Sequence, residues 1–222
     1  RPFQGEVRRA SADAHDVGLS VGIAPVHHQH ADLAGFRVRH AGHLQRRGAA
    51  TLFESATGLA GRRWRAPNTM DTRFDTASIT KLFTSAAVLR LAGRGELDLE
   101  IPIRHWVEAD LDGTAIDPRV TLLHVLTHTS GIADDADEEA GEDYEALFHD
   151  VPNYRVLTPR DQLPFFVHKQ PLAEPGTVCR YCNVGYVLAG LVLEAVTGRS
   201  FRDVIFDEVF EPAGMLDSGW YD

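Results

Sequence analysis

The spacing of apolar residues changes at Ser78, and this change divides the chain into two kinds of structure. Upstream, residues 17–24, 36–39 and 51–53 are short apolar or alternating stretches that predict β-strands. Downstream, apolar residues recur every three to four positions over residues 79–93, which predicts a buried helix. We therefore expect a set of N-terminal strands followed by a mainly helical region.

Lys81 stands out because the chain has only two Lys among its 22 Lys and Arg residues. Arg stays charged in proteins, whereas a partly buried Lys can lose its proton and act as a base. Lys81 follows Ser78 by three positions, so both side chains point the same way from the first turn of the predicted helix. The two residue types are those of a nucleophile and its activator.

The Ser-x-x-Lys spacing has a second interpretation when these four residues are taken alone. Such a string is expected by chance about once in a few hundred residues. Ser78 would then be an N-cap-like residue, and Lys81 a surface cation whose aliphatic stem packs along the protein. The choice between the two depends on the surrounding sequence.

Tyr181 and Asn183 are further polar candidates, placed just before a second apolar helix predicted over residues 185–196. The Tyr phenol could pass a proton to a leaving group, and the Asn amide could orient Lys81 or a substrate carbonyl. A helix that begins at Ser78 would favour an alkoxide there and would offer a backbone N–H to an oxyanion.

Two more helices and one acidic segment complete the pattern. Residues 120–126 predict a short helix, which ends at the polar stretch 127–131. Another helix is predicted from Ser200 to Pro212. Residues 134–143 are rich in Asp and Glu, which predicts a solvated, mobile loop. A lid that screens the substrate is the alternative for this loop.

The charge balance argues against two classes of partner. A net charge of −10 and a pI near 5.5 disfavour nucleic acid and anionic membrane surfaces. No apolar run approaches membrane-spanning length, and residues 1–20 lack the apolar core of a signal peptide. A cytoplasmic protein is favoured, with a processed exported protein as the alternative because the chain starts at Arg1.

The sequence predicts no cofactor and no metal. Cys179 and Cys182 form one C-x-x-C without a second pair or a thioredoxin-like βαβ pattern, so both are interpreted as reduced packing residues. Histidines at 27, 28 and 30 lack the spacing of a zinc site and are interpreted as part of a polar loop.

Taken together, these motifs resemble the serine hydrolases of the β-lactamase and penicillin-binding superfamily. The resemblance is strongest to the class C β-lactamases, the D,D-peptidases and the β-lactamase-like esterases, and it covers roughly residues 70–216. It rests on stretches 74–81 (FDTASITK), 126–131 (LTHTSG), 175–176 with 181–186 (PG, YCNVGY), and 194–198 with 212–215 (EAVTG, PAGM).

The resemblance implies a role for each candidate residue. Ser78 would be the acylated nucleophile, Lys81 its proton acceptor, and Tyr181 and Asn183 the catalytic and substrate-binding members of the Y-x-N element. The substrate would be a small ester, amide or β-lactam, with no choice among them. His128 falls in a family loop, 127–131, that we interpret as structural.

The resemblance also implies an α+β fold of the β-lactamase/transpeptidase type. An antiparallel sheet would pack with helices beside a helical subdomain, and the sheet would be incomplete in this chain. The expected organisation is a single, truncated-looking catalytic domain. Its N-terminal strands would span 1–76, a mainly helical subdomain 77–199, and a helix returning to the sheet subdomain 200–222.

One family feature is absent from the sequence. The K-T-G or H-x-G motif, which follows the Y-x-N element on a strand and supplies a second oxyanion donor, does not occur after Asn183. We therefore expect the native polypeptide to continue beyond Asp222, and residues 1–222 alone to be poorly soluble or inactive. The alternative function is a non-catalytic penicillin-binding or scaffold protein that keeps the fold without turnover.

Overall fold

The computed structural model describes residues 41–47, 50–137 and 140–220, and for 41–47 it describes the backbone alone. The chain divides into two compact units, residues 1–76 and 77–222. The strands predicted at 17–24 and 36–39 and the histidines at 27–30 lie outside the described residues.

The described part of the first unit is built from two short antiparallel pairs. Strands β1 (Ala41–Arg47) and β2 (Ala50–Thr57) pair from Ala41 opposite Thr57 to Arg47 opposite Ala50. The strand predicted at 51–53 is confirmed, because these residues lie within β2. Strands β3 (Leu59–Gly61) and β4 (Ala66–Pro67) form the second pair, which the sequence did not predict.

The second unit is helical in its described residues. Its α-helices are α1 (Thr80–Gly93), α2 (Arg104–Leu111), α3 (Leu122–Leu126), α4 (Pro159–Gln162), α5 (Val184–Thr197) and α6 (Phe201–Ile205). Short 3₁₀ turns lie at Ala77–Ile79, Tyr144–Phe148, Asn153–Arg155 and Leu163–Phe165, and a π-turn continues α6 over Phe206–Phe210.

The first helix begins slightly later than the sequence predicted. Ser78 lies in the 3₁₀ turn Ala77–Ile79, and regular α-helix starts at Thr80. The sequence placed Ser78 in the first α-helical turn because a 3₁₀ turn has almost the same residue spacing as an α-helix. The three-residue separation that brings Ser78 and Lys81 together is therefore kept.

Helix α5 lies at the centre of the second unit. It contacts α1, α2, α3, α4 and α6. Apolar residues cover most of its circumference, as expected for a helix enclosed by others. Its fully buried side chains Leu188, Leu191, Val192 and Leu193 share one apolar core with buried residues of α1, α2, α3 and α6.

The boundaries of the last two helices follow from their sequence signals. Gly198 ends α5 in the left-handed conformation, with φ +67°, and its N–H donates to the Glu194 carbonyl. Ser200 then caps α6 by accepting a hydrogen bond from the Asp203 N–H at 3.2 Å. The predicted end of α5 and start of α6 are thus confirmed.

Among the described residues, no single helix has the length and apolar composition needed to cross a membrane. The helices Val184–Thr197 and Phe201–Phe210 meet that criterion only together, as a pair bent by 87°.

Candidate active site

The four residues proposed from the sequence meet in one cluster of hydrogen bonds in the second unit. The Ser78 and Tyr181 hydroxyl oxygens lie 2.6 Å apart, and Lys81 Nζ donates to Ser78 Oγ at 3.1 Å. Lys81 Nζ also donates to Asn183 Oδ1 at 2.7 Å. Residues more than 100 positions apart in the chain therefore surround one hydroxyl group.

The cluster is open on the Ser78 side and closed behind Lys81. Ser78 is exposed, Tyr181 is 48% exposed and Lys81 is half-buried. Lys81 Nζ lies 4.8 Å from the centre of the Tyr181 ring and 5.7 Å from that of Tyr186. A reactant in solvent can thus reach Ser78 Oγ, while the two rings shield Lys81 Nζ from bulk water.

The backbone before Ser78 turns sharply. Ala77 has φ +43°, in the left-handed region that an L-residue other than Asn or Asp seldom adopts. Because Ala77 is the first residue of the 3₁₀ turn that contains Ser78, its conformation contributes to where Ser78 leaves the backbone. Strained backbone of this kind is often found at functional sites.

The loop 127–131, here called the clamp loop, holds the segment that carries Tyr181 and Asn183. Its backbone carbonyls accept hydrogen bonds from N–H groups along residues 172–180. The pairs are Arg180 to His128 at 2.8 Å, Gly176 to Thr129 at 2.8 Å, and Leu172 to Gly131 at 2.8 Å. The contacts agree with the structural interpretation of this loop.

His128 contributes its side chain to the same attachment. Its Nδ1 accepts a hydrogen bond from the Cys182 N–H at 3.1 Å, and its ring lies 4.6 Å from that of Tyr181. Burial, and next the positive charge of Lys81, lower the pKa of His128 below its ordinary value. The neutral ring required to accept at Nδ1 is therefore the favoured form.

The two cysteines differ in environment. Cys182 is buried, and burial followed by the negative charge of Asp134 raises the pKa of its thiol to about 12. The neutral thiol is a poor nucleophile, so Cys182 fits the predicted packing role. Cys179 is a free thiol, as predicted, but it is exposed, so the packing role predicted for it is wrong.

Asp134 is the site residue that the sequence did not identify. Its carboxylate accepts hydrogen bonds from the Asn183 N–H at 2.9 Å, the Asn183 Nδ2 at 3.1 Å and the Val184 N–H at 3.0 Å. It therefore joins the acidic segment to the start of α5. The one available signal was its position directly after the apolar pair Ile132 and Ala133, both of which are buried.

Residues 134–137 of the acidic segment are not the solvated loop expected from its charges, whereas residues 140–143 are exposed. Asp135 is 7% exposed, and burial and the adjacent Asp134 carboxylate raise the pKa of Asp135. Asp137 accepts from the Arg180 guanidinium at 2.6 Å. The prediction was wrong for residues 134–137 because charge patterns report composition and not the neutralising partners that lie far away in sequence.

An open depression borders Tyr181 and Asn183. Its walls combine apolar side chains with charged ones: Ile132, Ala136, Leu172, Asp134, Asp137 and Arg180. Within residues 50–137 and 140–220, no three His, Cys, Asp or Glu side chains are grouped so that they could hold a metal ion.

Comparison with known proteins identifies the family of this chain. The family model described as Beta-lactamase matches residues 9–222, which is nearly the whole chain. The chain belongs to the beta-lactamase family. The family resemblance predicted from the sequence motifs is thereby confirmed.

Curated relatives of this beta-lactamase family member include hydrolases of different names. Esterase EstB of Burkholderia gladioli is 34% identical over 76% of this chain and 44% of its own length. D-aminopeptidase of Brucella anthropi is 31% identical over 74% of this chain and 29% of its own length. The chain thus spans less than half the length of either relative.

A solved structure supports the fold assignment. The penicillin binding protein from Bacillus halodurans matches with a TM-score of 0.72 and 39% identity, over 80% of this chain and 52% of its own. The predicted β-lactamase/transpeptidase fold class is confirmed, with a small, incomplete antiparallel sheet in the described residues.

Proposed function

We propose that this protein is a serine hydrolase that forms an acyl-enzyme on Ser78 with a small ester, amide or β-lactam. One observation carries the proposal: the Ser78 hydroxyl lies within hydrogen-bond distance of both Lys81 Nζ, at 3.1 Å, and the Tyr181 hydroxyl, at 2.6 Å. A Ser hydroxyl becomes nucleophilic only when a neighbouring group takes its proton. The relatives named as an esterase and an aminopeptidase support hydrolysis as the class of reaction.

In the proposed acylation, neutral Lys81 accepts the Ser78 hydroxyl proton as Oγ bonds to the substrate carbonyl carbon. The resulting oxyanion faces the Ser78 N–H at the start of the helical turn. Collapse of this intermediate breaks the bond to the leaving group. Tyr181 gives its hydroxyl proton to that group and takes up the proton that Lys81 received from Ser78, so both side chains return to their starting forms. Water then attacks the ester carbonyl, releases the acid and restores the Ser78 hydroxyl.

Asn183 keeps Lys81 in place during these steps. Its Oδ1 accepts from Lys81 Nζ at 2.7 Å, which fixes the amine beside Ser78. The depression lined by Ile132 and Leu172 supplies apolar surface next to the reacting atoms, and Asp137 and Arg180 supply polar surface. We propose that the part of the substrate beyond the carbonyl binds there.

The test is intact-mass spectrometry after reaction with a fluorophosphonate probe and, separately, with a penicillin. One adduct per chain at Ser78 that is absent from the Ser78→Ala variant is expected, and turnover of the acyl adduct identifies an enzyme. Because Ser78 is exposed, Ser78→Ala should retain the melting temperature of the unaltered protein. A stable penicilloyl adduct would favour the non-catalytic alternative, and no adduct with either probe would overturn both.

A further inference from the structure

Asp134 differs from an ordinary helix-capping carboxylate because it also bonds a side chain of the proposed site. Its carboxylate accepts from the backbone N–H groups of Asn183 and Val184, as a cap would. It also accepts from Asn183 Nδ2 at 3.1 Å, on the opposite end of the amide from Lys81. The acceptor end of the same amide meets Lys81 Nζ at 2.7 Å.

We infer that Asp134 is a positioning residue that fixes the orientation of the Asn183 amide and thereby the position of Lys81 Nζ. An ionised carboxylate accepts hydrogen bonds but donates none, and an amide presents an acceptor on one side and donors on the other. Rotating the amide by half a turn would place Asn183 Oδ1 against the Asp134 carboxylate and Nδ2 against Lys81 Nζ. The contact between Asn183 Oδ1 and the carboxylate would pair two acceptors, so the carboxylate selects one orientation.

This selection matters for the proposed acylation, on which the inference rests. Lys81 Nζ has three hydrogen-bond directions, and two of them end on Ser78 Oγ and Asn183 Oδ1. If the amide rotates, the second acceptor is lost and the flexible Lys side chain gains other positions. A displacement of about 1 Å between reacting groups can lower a rate about 100-fold.

A matched carboxylate elsewhere in the same unit provides the control. Asp161 Oδ2 accepts from the N–H groups of Leu157 and Thr158 at 3.1 and 2.8 Å, where it supports the start of α4. It is 80 residues or more from Ser78 and Lys81 in sequence, and it also accepts from the Thr158 hydroxyl at 2.8 Å. Asp161→Asn removes a helix-start carboxylate without altering the amide.

The experiment is a double-mutant cycle with Asp134→Asn, Asn183→Ala and the double variant, and Asp161→Asn as control. The rate of fluorophosphonate labelling at Ser78 and the melting temperature are measured for each protein. We expect Asp134→Asn to lower the labelling rate about 100-fold, and the double variant to label no more slowly than Asn183→Ala. Asp161→Asn should lower the melting temperature but leave the labelling rate within about twofold of the unaltered protein.

Nuclear magnetic resonance gives a readout that does not depend on labelling. The chain has two Lys, so [ε-¹³C]lysine yields two side-chain signals, and Lys169→Arg assigns them. The Lys81 signal should move in Asp134→Asn in the same direction as in Asn183→Ala, with no further movement in the double variant. If the lost charge of Asp134 acted on the Lys81 signal directly, that signal would also move when Asp134→Asn is added to Asn183→Ala.

Two results would overturn the inference. One is a Lys81 signal that does not move in Asp134→Asn, and the other is a double variant in which the effects of the two single variants on the labelling rate add in full. Absence of labelling in the unaltered protein would overturn the proposed function and leave the Lys81 signal to decide the role of Asp134. The two failures are therefore distinguishable.

Discussion

At the scale of single residues, Lys81 is the side chain whose chemistry is least replaceable. Its Nζ contacts both Ser78 Oγ and Asn183 Oδ1, so a charged replacement could keep some of these contacts. We predict that Lys81→Arg labels Ser78 nearly as slowly as Lys81→Ala, because a guanidinium cannot accept the hydroxyl proton. The measurement is the fluorophosphonate labelling rate, and an active Lys81→Arg protein would remove Lys81 from the role of base.

Tyr181 is tested best against Tyr186, since both rings lie beside Lys81 Nζ. The Tyr181 hydroxyl faces Ser78 Oγ, whereas the Tyr186 hydroxyl donates to the Leu126 carbonyl. We predict that Tyr181→Phe lowers the rate of acyl transfer by about two to four orders of magnitude. Tyr186→Phe should change it by less than about tenfold, and equal effects of the two variants would argue against a proton relay through Tyr181.

His128 gives the site a dependence on pH. The pKa of His128 is lower in the folded protein than its ordinary value, which applies in the unfolded chain. At pH values between these two pKa values, the unfolded chain therefore binds more protons than the folded protein. The stability that His128 contributes is present above the ordinary value and is lost as the pH falls through the folded one. Asp135, whose pKa is raised, contributes a slope of the opposite sign at acidic pH.

Comparison with the His128→Asn variant isolates the contribution of His128 to the pH dependence of stability. Asn tolerates the left-handed backbone at position 128, where φ is +57°, and its side-chain oxygen can accept from the Cys182 N–H. We predict that the melting temperature of this variant falls less than that of the unaltered protein from about pH 7 to about pH 5. Asp135 is the same in both proteins, and parallel pH profiles would show that His128 stays in one protonation state.

At the scale of elements, the clamp loop determines where the Tyr181 segment lies. Gly131 has φ +71°, and a Cβ added there would lie 2.0 Å from the Ala173 carbonyl oxygen. Gly95 has a similar φ of +75° with open space around it. Replacement by Ala should therefore cost about 1–2 kcal/mol of unfolding free energy at Gly95 through backbone strain alone.

We predict that Gly131→Ala destabilises the protein more than Gly95→Ala and also slows labelling of Ser78. The added methyl group forces residues 172–174 away from the loop, and the segment leading to Tyr181 must follow. Urea unfolding measures the first effect and the fluorophosphonate labelling rate the second. Equal unfolding free energies in the two variants would show that the close approach at Ala173 relaxes without cost.

Local signals account for what the sequence predicted at this scale. The period of apolar residues located the helices that became α1 and α5, and Ser200 located the start of α6. Ser78 and Lys81 could be paired because they are three residues apart. Tyr181 and Asn183 were candidates from their residue types before the second apolar helix, and the family resemblance joined them to Ser78, since no local pattern does so across more than 100 residues.

The missed features depend on distant partners. Asp134 was grouped with solvated charges because its hydrogen-bond donors, Asn183 and Val184, lie about 50 residues away. The β3–β4 pair was missed because strands of three and two residues are too short to show alternation. Burial and partner identity are properties of the folded chain, and a single sequence records them weakly.

At the scale of the molecule, the two halves of the proposed site depend on one core. Helix α1 begins two residues after Ser78, α5 begins directly after Asn183, and the two helices contact each other. The core formed by α5 and its neighbours therefore positions the nucleophile relative to the Y-x-N element. Loss of that core should abolish folding and the site together.

Leu188→Ala tests this dependence, with Leu157→Ala as its control. Leu188 is fully buried in α5, so its truncation should lower the unfolding free energy by about 2–5 kcal/mol, whereas Leu157 is 58% exposed and its truncation should cost less than about 0.5 kcal/mol. We predict that labelling of Ser78 in Leu188→Ala is lost at the same temperature as the helical circular dichroism signal. Labelling lost while the helices remain intact would show that the site is held by the clamp loop independently of the core.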